Sequence, residues 1–381
     1  MRRTYSKAGL SVLVLYGAMS VVSGVILGIA AGIAVAFMGL KGFSIPSDLD
    51  LSSISQMMDY FQSEEILVFL IPGIVLGSVG GMSVGILIMK KILPAKNNIP
   101  IPKRKLSAKE CLLIAGMAFG LWGVGAFIGN LPEWFGIGIG DSFLNTTHPI
   151  IIVYYLYAVF GAPFFEELAF RKVLLDAAHP YGEVQAAFLS ALLFGIMHGN
   201  AAQFMLAFTL GLLLASVYQR TGRVIYTMAL HFMINLTATI PSLFALGNIN
   251  IDLIWYIVVG TLIIGGVVLV ILFRKQDFLS LSVSGEPDAN RAMFKNPGMR
   301  IAVIGGIVMI SAYEVMVLVS CISQDMGAGV LLRLVPWALA IVMIILVSKM
   351  VGKPRIKQEA ASQIPPAVPA PEEPEQGQFN P

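Results

Sequence analysis

Long apolar runs, interrupted by short polar clusters, dominate this 381-residue chain. A membrane-spanning helix takes about 20 mostly apolar residues at a rise of 1.5 Å each. Ten segments reach or approach that length: 9–39, 66–89, 110–129, 150–170, 184–199, 201–218, 224–244, 253–273, 301–322 and 329–349. The fifth and sixth are short and separated only by GNAAQ. The pattern predicts an all-α, polytopic transmembrane bundle of about ten spans. The N-terminus starts basic, like a signal peptide, but its apolar stretch runs far beyond the roughly 7–15 residues of a cleaved signal core. It is expected to remain as the first span.

The loops show a charge alternation that fits this count. Arg2, Arg3 and Lys7 precede the first span, and the next loop is acidic, with Asp48, Asp50, Asp59, Glu64 and Glu65 against Lys41. The stretch KKILPAKNNIPIPKRKLSAK is strongly basic, whereas NLPEWFGIGIGDSFLNTTH has no Lys or Arg. Arg171/Lys172, Arg220/Arg223, Arg274/Lys275 and Lys349/Lys353/Arg355 continue the alternation. Positive charge marks the cytoplasmic side, so both termini are expected there, in an integral, multi-pass protein of a prokaryotic cell membrane. The chain divides into helices one to three over 1–149, a central group over 150–244, and the last three helices over 245–350, with a cytoplasmic loop at 274–300. The Pro/Glu-rich tail, 351–381, is expected to be disordered because it cannot bury a core.

Composition agrees. Hydrophobic residues make up 57% and charged residues 12% of the chain, and its mean hydropathy is +0.81; a soluble domain has roughly a quarter of its residues charged. The net charge of +3 is small, and no nucleic-acid partner is expected. Two cysteines, Cys111 and Cys321, make neither a disulfide framework nor a Cys-based zinc site.

Ionisable residues within a span are costly and mark function by default, and three clusters of them stand out. The first is FFEELAFRKVL on the fourth span. Glu167 and Arg171 are four apart and share a helix face, so they can pair. Glu166 is rotated about 100° away and lacks that partner. The second is His198, at the end of SALLFGIMHGN. The third is the pair His231 and Asn235, four apart on the seventh span. If Glu167 draws Arg171 into the bilayer, Glu166 lies about 15 Å deep, His231 about 12 Å, Asn235 about 18 Å and His198 about 21 Å. Helix tilt of about 20° absorbs that spread, so the four groups can meet. Such a set suits three chemistries. It can hydrolyse an amide, with a carboxylate base and donors for an oxyanion. It can bind zinc through Glu166, His198 and His231. It can relay protons in a transporter.

At these residues the chain resembles the CAAX protease and bacteriocin-processing family of intramembrane endopeptidases (CPBP, Abi or type II CAAX endopeptidase family). The family pattern Glu-Glu-x-x-x-Arg, Phe-x-x-x-His and His-x-x-x-Asn/Asp is met by Glu166-Glu167 with Arg171, Phe194 with His198, and His231 with Asn235. The resemblance covers roughly residues 150 to 240. It implies that Glu166 activates water, that His198 helps to hold that water, and that His231 and Asn235 stabilise the oxyanion. Glu167 and Arg171 would form a supporting pair. No cofactor is expected on this reading, with Zn2+ the alternative, which would make the enzyme a metalloendopeptidase. The partners implied are the lipid bilayer and a membrane-associated peptide or protein, including a prenylated CAAX-type C-terminus. A non-catalytic scaffold or immunity protein of the same fold, or a proton-coupled transporter, are the other readings. Outside this core, depth counting from both membrane faces predicts an ion pair between Glu314 and Arg333 on the last two spans.

Overall fold

The computed structural model describes residues 2–41, 63–94, 101, 103–129, 148–273, 281, 293 and 295–322. Among them the regular structure is entirely helical. We number the helices α1 (Arg2–Leu40), α2 (Glu64–Ile92), α3 (Ala108–Gly129), α4 (Ile151–Tyr181), α5 (Glu183–Met197), α6 (Ala201–Thr221), α7 (Val224–Leu246), α8 (Asp252–Phe273) and α9 (Pro297–Ile322). Among the described residues seven helices, α1–α4 and α6–α8, are long and apolar enough to cross a membrane.

The fifth predicted span becomes the 15-residue α5, short for a crossing. Sequence chemistry explains where it stops. Asn200 adopts an extended backbone and its side chain accepts a hydrogen bond from the N–H of Gln203 at 2.8 Å, which starts α6. At the other end of α6, Gly222 takes φ +60°, the left-handed conformation that ends a helix most cheaply with glycine. Other ends are also marked. Ser107 and Glu110 form a reciprocal capping box on α3, Ser107 N–H donating to Glu110 at 2.9 Å and Glu110 N–H to Ser107 Oγ at 3.3 Å. Glu64 and Glu65 open α2 and Lys90 and Lys91 close it, complementing its dipole. The tenth predicted segment, Arg333 (and with it the predicted pair with Glu314) and the tail lie outside the described residues.

The bundle centres on α6. A large apolar cluster joins α4, α5 and α6 through Phe170, Leu174, Phe188, Phe194 and Phe208. A second joins α3, α6 and α7 through Met117, Leu214 and Ile234. On the periphery, α1 lies along α2 at glycine positions. A Cβ on Gly81 would come within 2.6 Å of Met19 Cα, so only glycine permits this approach. The opposite faces of α1 and α8 expose Val25, Ile29, Ile254 and Ile264, apolar side chains suited to lipid rather than water. This arrangement holds α4, α5 and α7 side by side, and these carry the site.

Candidate functional site

The helix α4 is not regular. Two π-helical segments, Tyr157–Gly161 and Leu168–Leu175, flank the short α-helical stretch Ala162–Glu167 that carries both glutamates. Single π turns inside α-helices are rare and occur often at functional sites. Each adds a residue to its turn and so rotates the helix beyond it.

Glu167 and Arg171 are fully buried, with Arg171 Nε 3.0 Å from Glu167 Oε2. One further guanidinium nitrogen, Nη1, is held from α5. Arg171 Nη1 reaches Ser190 Oγ at 3.5 Å, and the Ser190 hydroxyl donates to the Phe170 carbonyl at 3.1 Å. Its plane lies over the Phe194 ring, 4.8 Å from the centroid, a cation–π contact strengthened by desolvation. The next residue turns the other way. Lys172 is half exposed and pairs with Asp176 at 2.7 Å, and Asp176 also accepts from the Tyr218 hydroxyl at 2.7 Å. Two adjacent cations that read as one membrane boundary thus have separate tasks.

His231 stands between the two glutamates. Its Nδ1 is 3.1 Å from Glu167 Oε1, and its Nε2 is 3.8 Å from Glu166 Oε2. A carboxylate only accepts, so Nδ1 carries the proton. Glu167 therefore does more than neutralise Arg171; it holds Nδ1 and so orients the imidazole. Glu166 is the less buried of the two, with a side chain 16% exposed. Its Oε2 is buried yet accepts no hydrogen bond from the protein. The gap to His231 is too long for a direct hydrogen bond and suits a bridging molecule.

His198 ends α5, and its Nδ1 lies 2.8 Å from the Phe194 carbonyl. A carbonyl also only accepts, so in the neutral ring Nε2 is left as an acceptor. Asn235 donates from Nδ2 to the Ala158 carbonyl at 2.8 Å, in the first π segment. One of its two N–H bonds is thereby committed to backbone.

Phe194 connects these groups, and sequence reasoning assigned it no role. Its ring centroid lies 4.9 Å from that of His198, 5.8 Å from that of His231 and 5.2 Å from that of Phe170. Its signal in the sequence was the four-residue spacing to His198, which puts both on one helix face.

As zinc ligands, Glu166, His198 and His231 would have to act through a carboxylate oxygen and the two Nε2 atoms. His231 Nδ1 is engaged by Glu167 and His198 Nδ1 by backbone. Among the described residues no group of three or more His, Cys, Asp or Glu side chains converges to hold a metal ion.

Residues 148–237 match the family model described as type II CAAX prenyl endopeptidase Rce1-like. That stretch is similar to the Rce1-like family. The matched region contains both glutamates, Arg171, Phe194, His198, His231 and Asn235. Among curated proteins, "Putative membrane peptidase YdiL" of Bacillus subtilis (strain 168) is 29% identical over 139 residues, 34% of this chain and 55% of that protein. The chain thus spans about half the length of the curated relative it matches. No solved structure matches. Its seven helices of spanning length and apolarity, together with this similarity, support a membrane protein.

Proposed function

We propose that the chain is an intramembrane endopeptidase that hydrolyses a peptide bond near the C-terminus of a membrane-associated protein or peptide. A prenylated CAAX-type C-terminus is the substrate class that the family name indicates. The single observation that carries the reading is His231 held between two carboxylates, one locked to Arg171 and the other, Glu166, open to a small molecule.

Water bound at Glu166 Oε2 loses a proton to that carboxylate as its oxygen attacks the scissile carbonyl carbon. His198 accepts the water's second hydrogen through Nε2 and so fixes the direction of attack. The carbonyl oxygen takes the displaced electron pair. His231 Nε2 donates to that oxyanion as the imidazolium, the state that gives Glu166, Glu167, Arg171 and His231 together a net charge of zero. The second N–H of Asn235 is the other donor. When the carbon–nitrogen bond breaks, the proton held by Glu166 passes to the leaving amine. The oxyanion's electron pair re-forms the carbonyl as that bond breaks, and the new carboxylic acid gives its remaining proton to solvent, leaving a carboxylate, an amine and Glu166 restored. Burial of the donors in a low-dielectric site makes each worth more than it would be in water. The proposed setting is a prokaryotic cell membrane, and the loop charges support cytoplasmic termini there.

The test compares new peptide termini among membrane proteins of native cells carrying the wild type or Glu166→Ala at matched expression. A set of termini that disappears with Glu166→Ala supports proteolysis and identifies the substrates. If every terminus survives, the peptidase reading is wrong.

A further inference from the structure

We propose that Asn235 is a positioning residue: it supplies the hydrogen bond that Pro163 cannot make and thereby keeps Glu166 facing His231. The proposal rests on the peptidase reading for its activity readout alone. In the first π segment of α4 the N–H of Ala162 donates to the Tyr157 carbonyl, five residues back. In the same register, the donor to the Ala158 carbonyl would be the N–H of residue 163. That residue is Pro163, which is buried and has no N–H. Ala158 is left with a carbonyl that the helix cannot pair, in a place where lipid offers no substitute. Asn235 Nδ2 donates to it at 2.8 Å.

The consequence reaches Glu166, three residues beyond Pro163. A helix turns about 100° per residue, and the π segment contains one more residue per turn than an α-helix does. If the segment relaxed to α geometry, everything after it would rotate by about 100°. Glu166 would leave His231, and a neighbour would take its place. Asn235 lies one turn beyond His231 on α7, so a single helix face fixes both the imidazole and the register of the helix that meets it. Proline and asparagine are therefore complementary: one removes a donor from α4, and the other returns it from α7.

The test uses the full-length chain in native membranes, with Asn235→Ala, Pro163→Ala and the double variant. Asn235→Ala should lower the Glu166-dependent termini by about tenfold or more, the scale expected when a reacting group is misplaced. Adding Pro163→Ala restores a backbone N–H within reach of Ala158 and should raise the termini severalfold above Asn235→Ala, short of the wild type because the oxyanion donor stays absent, whereas a residue acting only as an oxyanion donor would not be rescued at all by a distant backbone N–H. In detergent, Asn235→Ala should lower Tm more in the parent than in the Pro163→Ala background. Equal Tm losses in the two backgrounds overturn the hydrogen-bond exchange. Unequal losses without recovery of termini overturn the positioning role. If Glu166-dependent termini are absent altogether, the peptidase reading has failed, and the Tm comparison alone decides this proposal. Should Asn235→Ala not accumulate, Asn235→Ser keeps a donor and takes its place in the same comparison, with a smaller Tm loss expected.

Discussion

Arg171→Met and Glu167→Gln remove one partner each from an ion pair with no solvent exposure on either side, and they should not be equivalent. Breaking a buried pair typically costs about 3–5 kcal/mol, because the surviving charge is left without compensation. After Arg171→Met, Glu167 keeps His231 Nδ1 at 3.1 Å, so the loss should fall near the lower end, about 3 kcal/mol. After Glu167→Gln, the guanidinium retains only the 3.5 Å contact with Ser190 and the face of Phe194. That loss should approach about 5 kcal/mol. The double variant leaves no stranded charge and should be less damaged than the sum of the two by at least about 2 kcal/mol, within the range of couplings seen for contacting residues. Denaturation of the purified protein in mixed micelles, followed by helicity, measures all four forms. Single losses below about 0.5 kcal/mol, the range of ordinary surface changes, would refute the burial of the pair. Equal single losses, or a double variant no better than their sum, would refute the asymmetry assigned to His231.

Three further outcomes are expected from neighbouring features. Lys172→Ala, next to Arg171 but half exposed, should change stability by no more than about 1 kcal/mol in the same denaturation experiment. Gly81→Val must force α1 and α2 apart at Met19 and should destabilise by about 1–3 kcal/mol; a neutral result would show that the two helices do not pack there. Because no group of three or more His, Cys, Asp or Glu among the described residues is placed to hold a metal ion, a zinc chelator should leave the Glu166-dependent termini unchanged in washed membranes. Their loss on chelation, with recovery on adding zinc alone, would reverse that conclusion.

The parts of the fold visible in the sequence were those set by local chemistry. Apolar length located the helices, and the four-residue spacings joined Glu167 to Arg171 and Phe194 to His198. Asn200 and Gly222 marked where α6 begins and ends, yet the same signals also show why α5 stops too soon for an ordinary crossing, a point that hydropathy alone obscured. Spacing could not say which carboxylate His231 would meet. An ideal 100° turn correctly separates Glu166 from Arg171, but contact across helices depends on the relative height and rotation of α4 and α7. The π segments set that rotation, and the first of them is where Pro163 and Asn235, 72 positions apart in the chain, come together.

This dependence explains why the site is built on irregular helix instead of loops. Within lipid an open loop would leave unpaired backbone groups, so irregular backbone is tolerated only where protein can satisfy it. A π turn is a small departure from α geometry that changes the direction of a side chain, and it releases few carbonyls. Two carbonyls of α4 have side-chain donors from neighbouring helices: Asn235 for Ala158 and Ser190 for Phe170. Ser190 also contacts Arg171, and Asn235 stands one turn from His231. The groups that repair the backbone are thus joined to the groups that do the chemistry. Loss of either repair should disturb the position of the glutamates before it unfolds the helix.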